Sequence, residues 1–134
     1  MKEENKKTII ERWVKKAQED ELNLQSILKH RDGTPGVACF LSQQMAEKYL
    51  KGLLIFFDLE LVRAHDLIKL SSLLEASAPQ ITEIVNEAAL LNEYYIKTRY
   101  VGDYPEFSWQ DAEKACAAAE KIKDFFLKNV KINF

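Results

Sequence analysis

Glycine and proline are scarce in this chain, four and three among 134 residues. Sheet-rich domains need a tight turn roughly every 8–12 residues, so this supply excludes a strand-and-turn architecture and favours a few long helices. Cysteine is limited to Cys39 and Cys116, with no Cys-x-x-Cys and no Cys/His pairing near either. That excludes a disulfide scaffold and suits a reducing compartment. Neither sign of charge dominates: 19 Lys and Arg face 21 Asp and Glu, for a net charge of −2. No global field draws the protein onto nucleic acid or anionic lipid, and any polyanion site must be a local patch. The first 13 residues mix acids with bases and carry no long apolar run, so they read as neither signal peptide nor membrane anchor. The expected location is therefore cytoplasmic, with no membrane association.

What is present is ample core material. Hydrophobic residues make up 47% of the chain, and a chain of this length hides roughly two-thirds of its unfolded surface on folding. No internal repeat or low-complexity linker interrupts it, so one domain over residues 1–134 is expected. Apolar periodicity predicts an all-α, antiparallel bundle of about five helices, four long and one short. The first covers residues 8–30 and ends at Arg31-Asp32-Gly33. Thr34 and Pro35 supply a cap and a helix-start proline for a second helix reaching residue 57. Its apolar positions, among them Val37, Phe40, Leu41, Leu50, Leu53, Leu54 and Phe57, favour one side; Gln43, Gln44, Glu47, Lys48 and Lys51 crowd the other. A short third helix spans 66–76. The fourth spans 79–98, with Ile81, Val85, Ala88, Asn92, Tyr95 and Arg99 at alternating steps of three and four. After a loop over 100–107, Ser108 with Asp111 three positions on reads as a capping box that opens a final helix reaching residue 130.

Polar residues on apolar stripes are the informative ones. Trp13, Ala17, Asp20, Leu24 and Leu28 place Asp20 on the inward stripe of the first helix, where an unpaired carboxylate is costly. The same count puts Arg99 at the end of the fourth helix's stripe. Two readings follow: an internal Asp20–Arg99 ion pair that fixes register, or a pocket in which Arg99 binds phosphate through its planar fork and Asp20 orients it. Asp66 is placed to cap the third helix, and His65 to bond a carbonyl across the preceding loop rather than to titrate in catalysis. Glu47 and Lys51, one turn apart, read as a solvent-facing pair worth a few tenths of a kcal/mol. Lys48 has no acid four residues earlier, which makes it the better phosphate candidate. Tyr95 and Trp109 are expected to pack, whereas Tyr100 and Tyr104, in the loop beside Gly102, are placed to stack on a nucleobase or expose a hydroxyl. Cys39 and Cys116 read as buried hydrophobes.

These residues spell a known pattern. Gln43-Gln44-x-Ala46-Glu47-Lys48-x-Leu50-Lys51, then His65-Asp66-Leu67, then Thr98-Arg99-Tyr100 with Tyr104-Pro105, resemble the HEPN domain family over about residues 10–130. The resemblance implies a five-helix bundle, commonly a homodimer, often encoded with a minimal nucleotidyltransferase. It also implies nucleotide binding, with Asp20, Gln44, Lys48, Lys51, Arg99, Tyr100 and Tyr104 bordering a pocket or dimer cleft. Many members are metal-independent ribonucleases whose signature is an Arg followed, after four to six residues, by a His. Here Tyr104, Pro105 and Glu106 occupy those positions, and no histidine follows His65. A phenol, which ordinarily titrates near pH 10, is a poor base at neutral pH, so a nuclease would have to recruit His65 as its base beside Arg99. In some members a tyrosine downstream of the Arg is adenylylated by the partner enzyme, and Tyr104 is the position that matches.

The expectation is thus a nucleotide- or partner-binding HEPN protein of the toxin–antitoxin type that needs no cofactor or metal. One alternative is a ribonuclease using Arg99, His65 or Tyr104. Another is a metal-dependent phosphohydrolase, because His30, His65, Asp66 and Asp103 mimic in order the His, His-Asp, Asp ligand set of those helical enzymes.

Overall fold

The computed structural model describes residues 2–97 and 106–131. All regular structure among them is helical: α1 (Glu3–His30), α2 (Pro35–Phe56), α3 (Leu67–Leu74), a 3₁₀ segment (Pro79–Ile84) running into α4 (Val85–Lys97), and α5 (Trp109–Asn129). The expected bundle of five helices is present. It begins earlier than expected, at Glu3 rather than residue 8, because Glu3 and Glu4 in the first turn of α1 complement the helix dipole.

The helix ends follow their local chemistry. Arg31 closes α1 in the left-handed region, φ 56°, with its N–H donating to Ile27 O at 2.8 Å, and Gly33 at φ 86° completes the turn. The Arg31 guanidinium then reaches α5, 2.7 Å from Glu113 Oε1 and 4.6 Å above the Trp109 ring, tying the end of α1 to the start of α5. Thr34 caps α2 by accepting from Val37 N–H, with Pro35 at the first helical position. The capping box of α5 is formed in both directions: Ser108 Oγ accepts from Asp111 N–H, and Asp111 Oδ2 accepts from Ser108 N–H.

The central helix is α2, which packs against α1, α3, α4 and α5. Its expected division into one apolar and one polar side is not observed. Gln43, Glu47 and Lys51 are buried together with Ala38, Cys39, Met45, Ala46, Tyr49, Leu50, Leu53 and Leu54, while Val37, assigned to the apolar side, is 47% exposed in the first turn. A helix surrounded on most sides has no solvent face to which its polar residues can turn. Gly52 marks the tightest approach. A Cβ there would lie 3.0 Å from Phe126 Cε2 and 3.8 Å from Trp13 Cβ, so its missing side chain lets α1 and α5 close on α2.

The fourth helix departs from its expected register. Buried positions run Ile81, Ile84, Ala88, Leu91 and Tyr94, not Ile81, Val85, Ala88, Asn92 and Tyr95, and Val85 is exposed. The cause is the 3₁₀ segment, whose three residues per turn bring Ile84 under Ile81 before α-helical spacing resumes. Asn92 and Tyr95 consequently lie on the neighbouring face of α4, beside the start of α3.

Candidate functional site

Three of the polar residues buried on α2, Gln43, Glu47 and Lys51, form one connected network. Glu47 stands at its centre: Oε2 accepts from Lys51 Nζ at 3.2 Å, and Oε1 accepts from Gln43 Nε2 at 3.3 Å and meets His65 Nδ1 at 2.9 Å. Gln43 Nε2 also donates to the backbone carbonyl of His65 at 3.1 Å, while its Oε1 accepts from Gln44 Nε2 at 2.6 Å. A carboxylate with an ammonium on one oxygen and two N–H donors on the other is well satisfied, which is the condition for keeping a charge inside a protein. Lys51 Nζ lies 5.7 Å from the centre of the Trp13 ring, adding a cation–π contact from α1.

This arrangement corrects two expectations. Glu47 and Lys51 are not a solvent-facing pair, since their side chains are only 5% and 9% exposed. Nor does the His65 ring bond a carbonyl. Its Nδ1 engages the Glu47 carboxylate, and its ring stacks on Tyr95 at 4.4 Å with 14° between the planes. Tyr95 in turn lies 6.4 Å from the Phe40 ring of α2. The His65 side chain remains 51% exposed, so the network reaches the surface through the imidazole.

The start of α3 holds His65 in place. Asp66 caps the helix as expected, its Oδ1 accepting from Ile68 N–H and Lys69 N–H. Asn92 of α4 locks this turn from the other side: its Oδ1 accepts from Leu67 N–H at 2.8 Å, and its Nδ2 donates to Asp66 Oδ1 at 3.1 Å.

The other expected site residues are placed differently. Asp20 is on the inward side of α1, but its partner is Lys48 of α2, with Nζ bonded to Oδ2. Lys48, read as lacking a local acid, finds one across the helix interface instead, so it is not an unpaired cation. Arg99, Tyr100, Asp103 and Tyr104 lie outside the described residues, as does the Asp20–Arg99 pairing. Of the phosphohydrolase ligand set, His30 is exposed at the end of α1 and Asp66 is engaged as a cap. Among the described residues no group of three or more His, Cys, Asp or Glu side chains could hold a metal ion. No described helix is long and apolar enough to cross a membrane.

Both cysteines are buried as expected. Burial pushes the Cys39 thiol up to about 12, with Asp111 adding to the effect, and burial together with Glu120 does the same to Cys116. Neither thiol has the thiolate character that a nucleophile needs.

Tyr95, Asn92 and Gln43 are site-building residues whose roles the sequence did not reveal. The available signal was the spacing Gln43, Glu47, Lys51: three polar groups one turn apart in a helix otherwise rich in apolar residues.

The profile of the HEPN domain matches residues 10–130, and the chain belongs to the HEPN domain family. Its structure is similar to that of TT1696 from Thermus thermophilus, with a TM-score of 0.81 and 28% identity over 90% of this chain and 98% of that one. It is also similar to ST0689, an archaeal HEPN homologue, with a TM-score of 0.72 and 31% identity over 91% of this chain and 98% of that one. No curated protein matches the chain.

Proposed function

We propose that this HEPN protein is a nucleotide-binding component that works as a homodimer with a nucleotidyltransferase partner, in the manner of a toxin–antitoxin pair. The observation that carries the reading is the position of the exposed His65–Tyr95 stack. Tyr95 sits in the last turn of α4, four residues before Arg99 in the chain and just ahead of the segment that holds Tyr100 and Tyr104. A half-exposed imidazole on an aromatic ring offers a stacking surface and a nitrogen that can donate to phosphate, and the chain that follows Tyr95 carries a guanidinium suited to the same ligand. The test is thermal unfolding with AMP, ADP, ATP and short single-stranded RNA. A ligand at a hundred times its Kd adds about 2.7 kcal/mol of stability, and Arg99→Ala is expected to remove the shift. If no nucleotide or strand shifts the wild-type midpoint, the nucleotide-binding role is lost. Size-exclusion chromatography with light scattering tests the dimer, and co-purification with a co-expressed minimal nucleotidyltransferase tests the partner.

One observation favours a second reading, a metal-independent ribonuclease. A histidine whose Nδ1 is held by a buried carboxylate presents Nε2 outward in the manner of a general base. Cleavage of single-stranded RNA in the presence of a chelator, abolished in both Arg99→Ala and His65→Ala, is the expected result under that reading.

A further inference from the structure

We propose that His65 is itself a phosphate-binding residue, which engages the ligand's phosphate through Nε2–H in its imidazolium form with Glu47 as the buried counter-charge. The inference rests on the nucleotide-binding reading and specifies which atom meets the phosphate and when.

The partner of Nδ1 fixes the tautomer of His65. Glu47 accepts from Lys51 through one oxygen and from Gln43 through the other, so the group facing His65 Nδ1 at 2.9 Å is a carboxylate. A carboxylate can only accept, so Nδ1 carries the hydrogen whether the ring is neutral or charged. All variation in protonation therefore falls on Nε2. In the neutral ring Nε2 is an acceptor and repels phosphate oxygens; in the imidazolium it is a charge-assisted donor. Nε2 has no partner among the described residues, and the side chain is half exposed.

The ring cannot turn away from this role easily. Tyr95 covers one face at 4.4 Å, Gln43 holds the His65 carbonyl at 3.1 Å, and the turn that follows is fastened by Asp66 and Asn92. Among the described residues, the titratable and charged groups set around the ring are Glu47 and, behind it, Lys51 from α2; the Tyr95 phenol from α4; and Asp66 beside it in the chain. Lys51 shares the Glu47 carboxylate with the ring, so the protonated cluster carries one net positive charge towards the ligand, and Asp66 is engaged by backbone N–H groups. Of these groups, histidine is the one whose charge ordinarily changes between about pH 5 and 8. Phosphate binding at this site should therefore strengthen as the pH falls through that range.

The test uses probes whose phosphates do not titrate in this range: a 2′-O-methylated tetra-adenylate, which resists cleavage, and cyclic AMP. Affinities are measured by calorimetry between about pH 6 and pH 8. Wild type is expected to bind at least one probe about tenfold more tightly at the lower pH, as befits gaining one charge-assisted hydrogen bond. Preference for the tetra-adenylate identifies a strand, and preference for cyclic AMP a single nucleotide. His65→Gln keeps a planar polar side chain but cannot become a cation; it should bind with affinity that varies less than about twofold over the same range. The ¹⁵N resonance of His65 Nε2 should move on addition of the bound probe. If the probe binds in an Arg99-dependent way while His65→Gln retains the full pH dependence, His65 has no such role although nucleotide binding stands. If neither probe binds at any pH, the His65 proposal falls, and the nucleotide-binding reading falls with it where AMP, ADP and ATP also leave the unfolding midpoint unchanged.

Discussion

Glu47 Oε2 and Lys51 Nζ lie 3.2 Å apart one turn along α2, and both side chains are more than nine-tenths withdrawn from solvent. A pair in this situation is sensitive to the loss of either partner, because the survivor stays buried with its charge uncompensated. Glu47→Ala strands Lys51 against Trp13 and removes the acceptor used by Gln43 and His65. The expected cost is about 3–5 kcal/mol in urea unfolding. Replacing both residues by Leu and Met should recover most of that loss, since apolar groups of similar volume carry no desolvation penalty. A single variant as stable as wild type would show that water reaches the pair.

Gly52 is unusual as a glycine in the interior of a helix, where it costs roughly 0.5–1 kcal/mol relative to alanine. Its position explains its presence. The space a Cβ needs is already taken by the Phe126 ring at 3.0 Å, and that ring is buried against Tyr49 with centroids 5.1 Å apart. Gly52→Ala should be close to neutral, because helix propensity gained offsets the contact. Gly52→Leu gains a similar propensity but must place a whole side chain in the same space, and should lose about 1–3 kcal/mol through overpacking. Thermal unfolding of the two variants separates these effects; equal behaviour would mean that α5 is free to slide away from α2.

The helices were legible in the sequence because their ends carry explicit chemistry: Thr34-Pro35, Asp66 and Ser108 with Asp111 all cap where their residue types predict. The site was legible only in part. His65 and Asp66 stand out as residue types, but the partner of His65 is Glu47, whose spacing to Lys51 reads equally well as a surface pair. Solvent exposure of one helix face is set by how many neighbours surround it, and a local pattern does not contain that number. The same limit separated Lys48 from Asp20, which meet across two helices 28 residues apart in the chain. The 3₁₀ segment at Pro79–Ile84 rotated the α4 stripe by one residue, and that single step moved Asn92 and Tyr95 from the expected core to the edge of the site.

Asn92 offers a direct probe of that edge. It satisfies Leu67 N–H, one of the donors left open at the start of α3, and steadies the Asp66 cap. Asn92→Ala leaves Leu67 N–H without its acceptor in a partly buried place, with an expected loss of about 1–3 kcal/mol. The loss should be local as well as global. Amide exchange at Leu67 and the following residues of α3 should accelerate more than in α5, because the lock between α3 and α4 is what has been removed. Uniform acceleration across all helices would mean that Asn92 supports the bundle as a whole and not the turn that presents His65.

The capping box of α5 makes a prediction with a definite pH dependence. Ser108 N–H donates to Asp111 Oδ2 at 2.8 Å, and this bond, together with that to the Ser108 side chain, holds the Asp111 carboxyl below its usual range. A carboxyl whose folded pKa is depressed binds its proton more weakly in the native state than in the unfolded chain. Its contribution is therefore present above the ordinary aspartate pKa of about 3.9 and is lost as the pH falls through the lowered folded value. Asp111→Asn keeps an acceptor for Ser108 N–H and removes only the charge. It should destabilise the protein at neutral pH, and the gap from wild type should close as the solution is taken down towards about pH 3. Ser108→Ala removes the hydroxyl that accepts from Asp111 N–H and should cost about 1 kcal/mol at neutral pH. Because that hydroxyl does not titrate, part of its cost persists in acid. Urea midpoints for both variants at the two pH values distinguish the charge from the cap, and a pH-independent gap for Asp111→Asn would assign the whole effect to hydrogen-bond geometry.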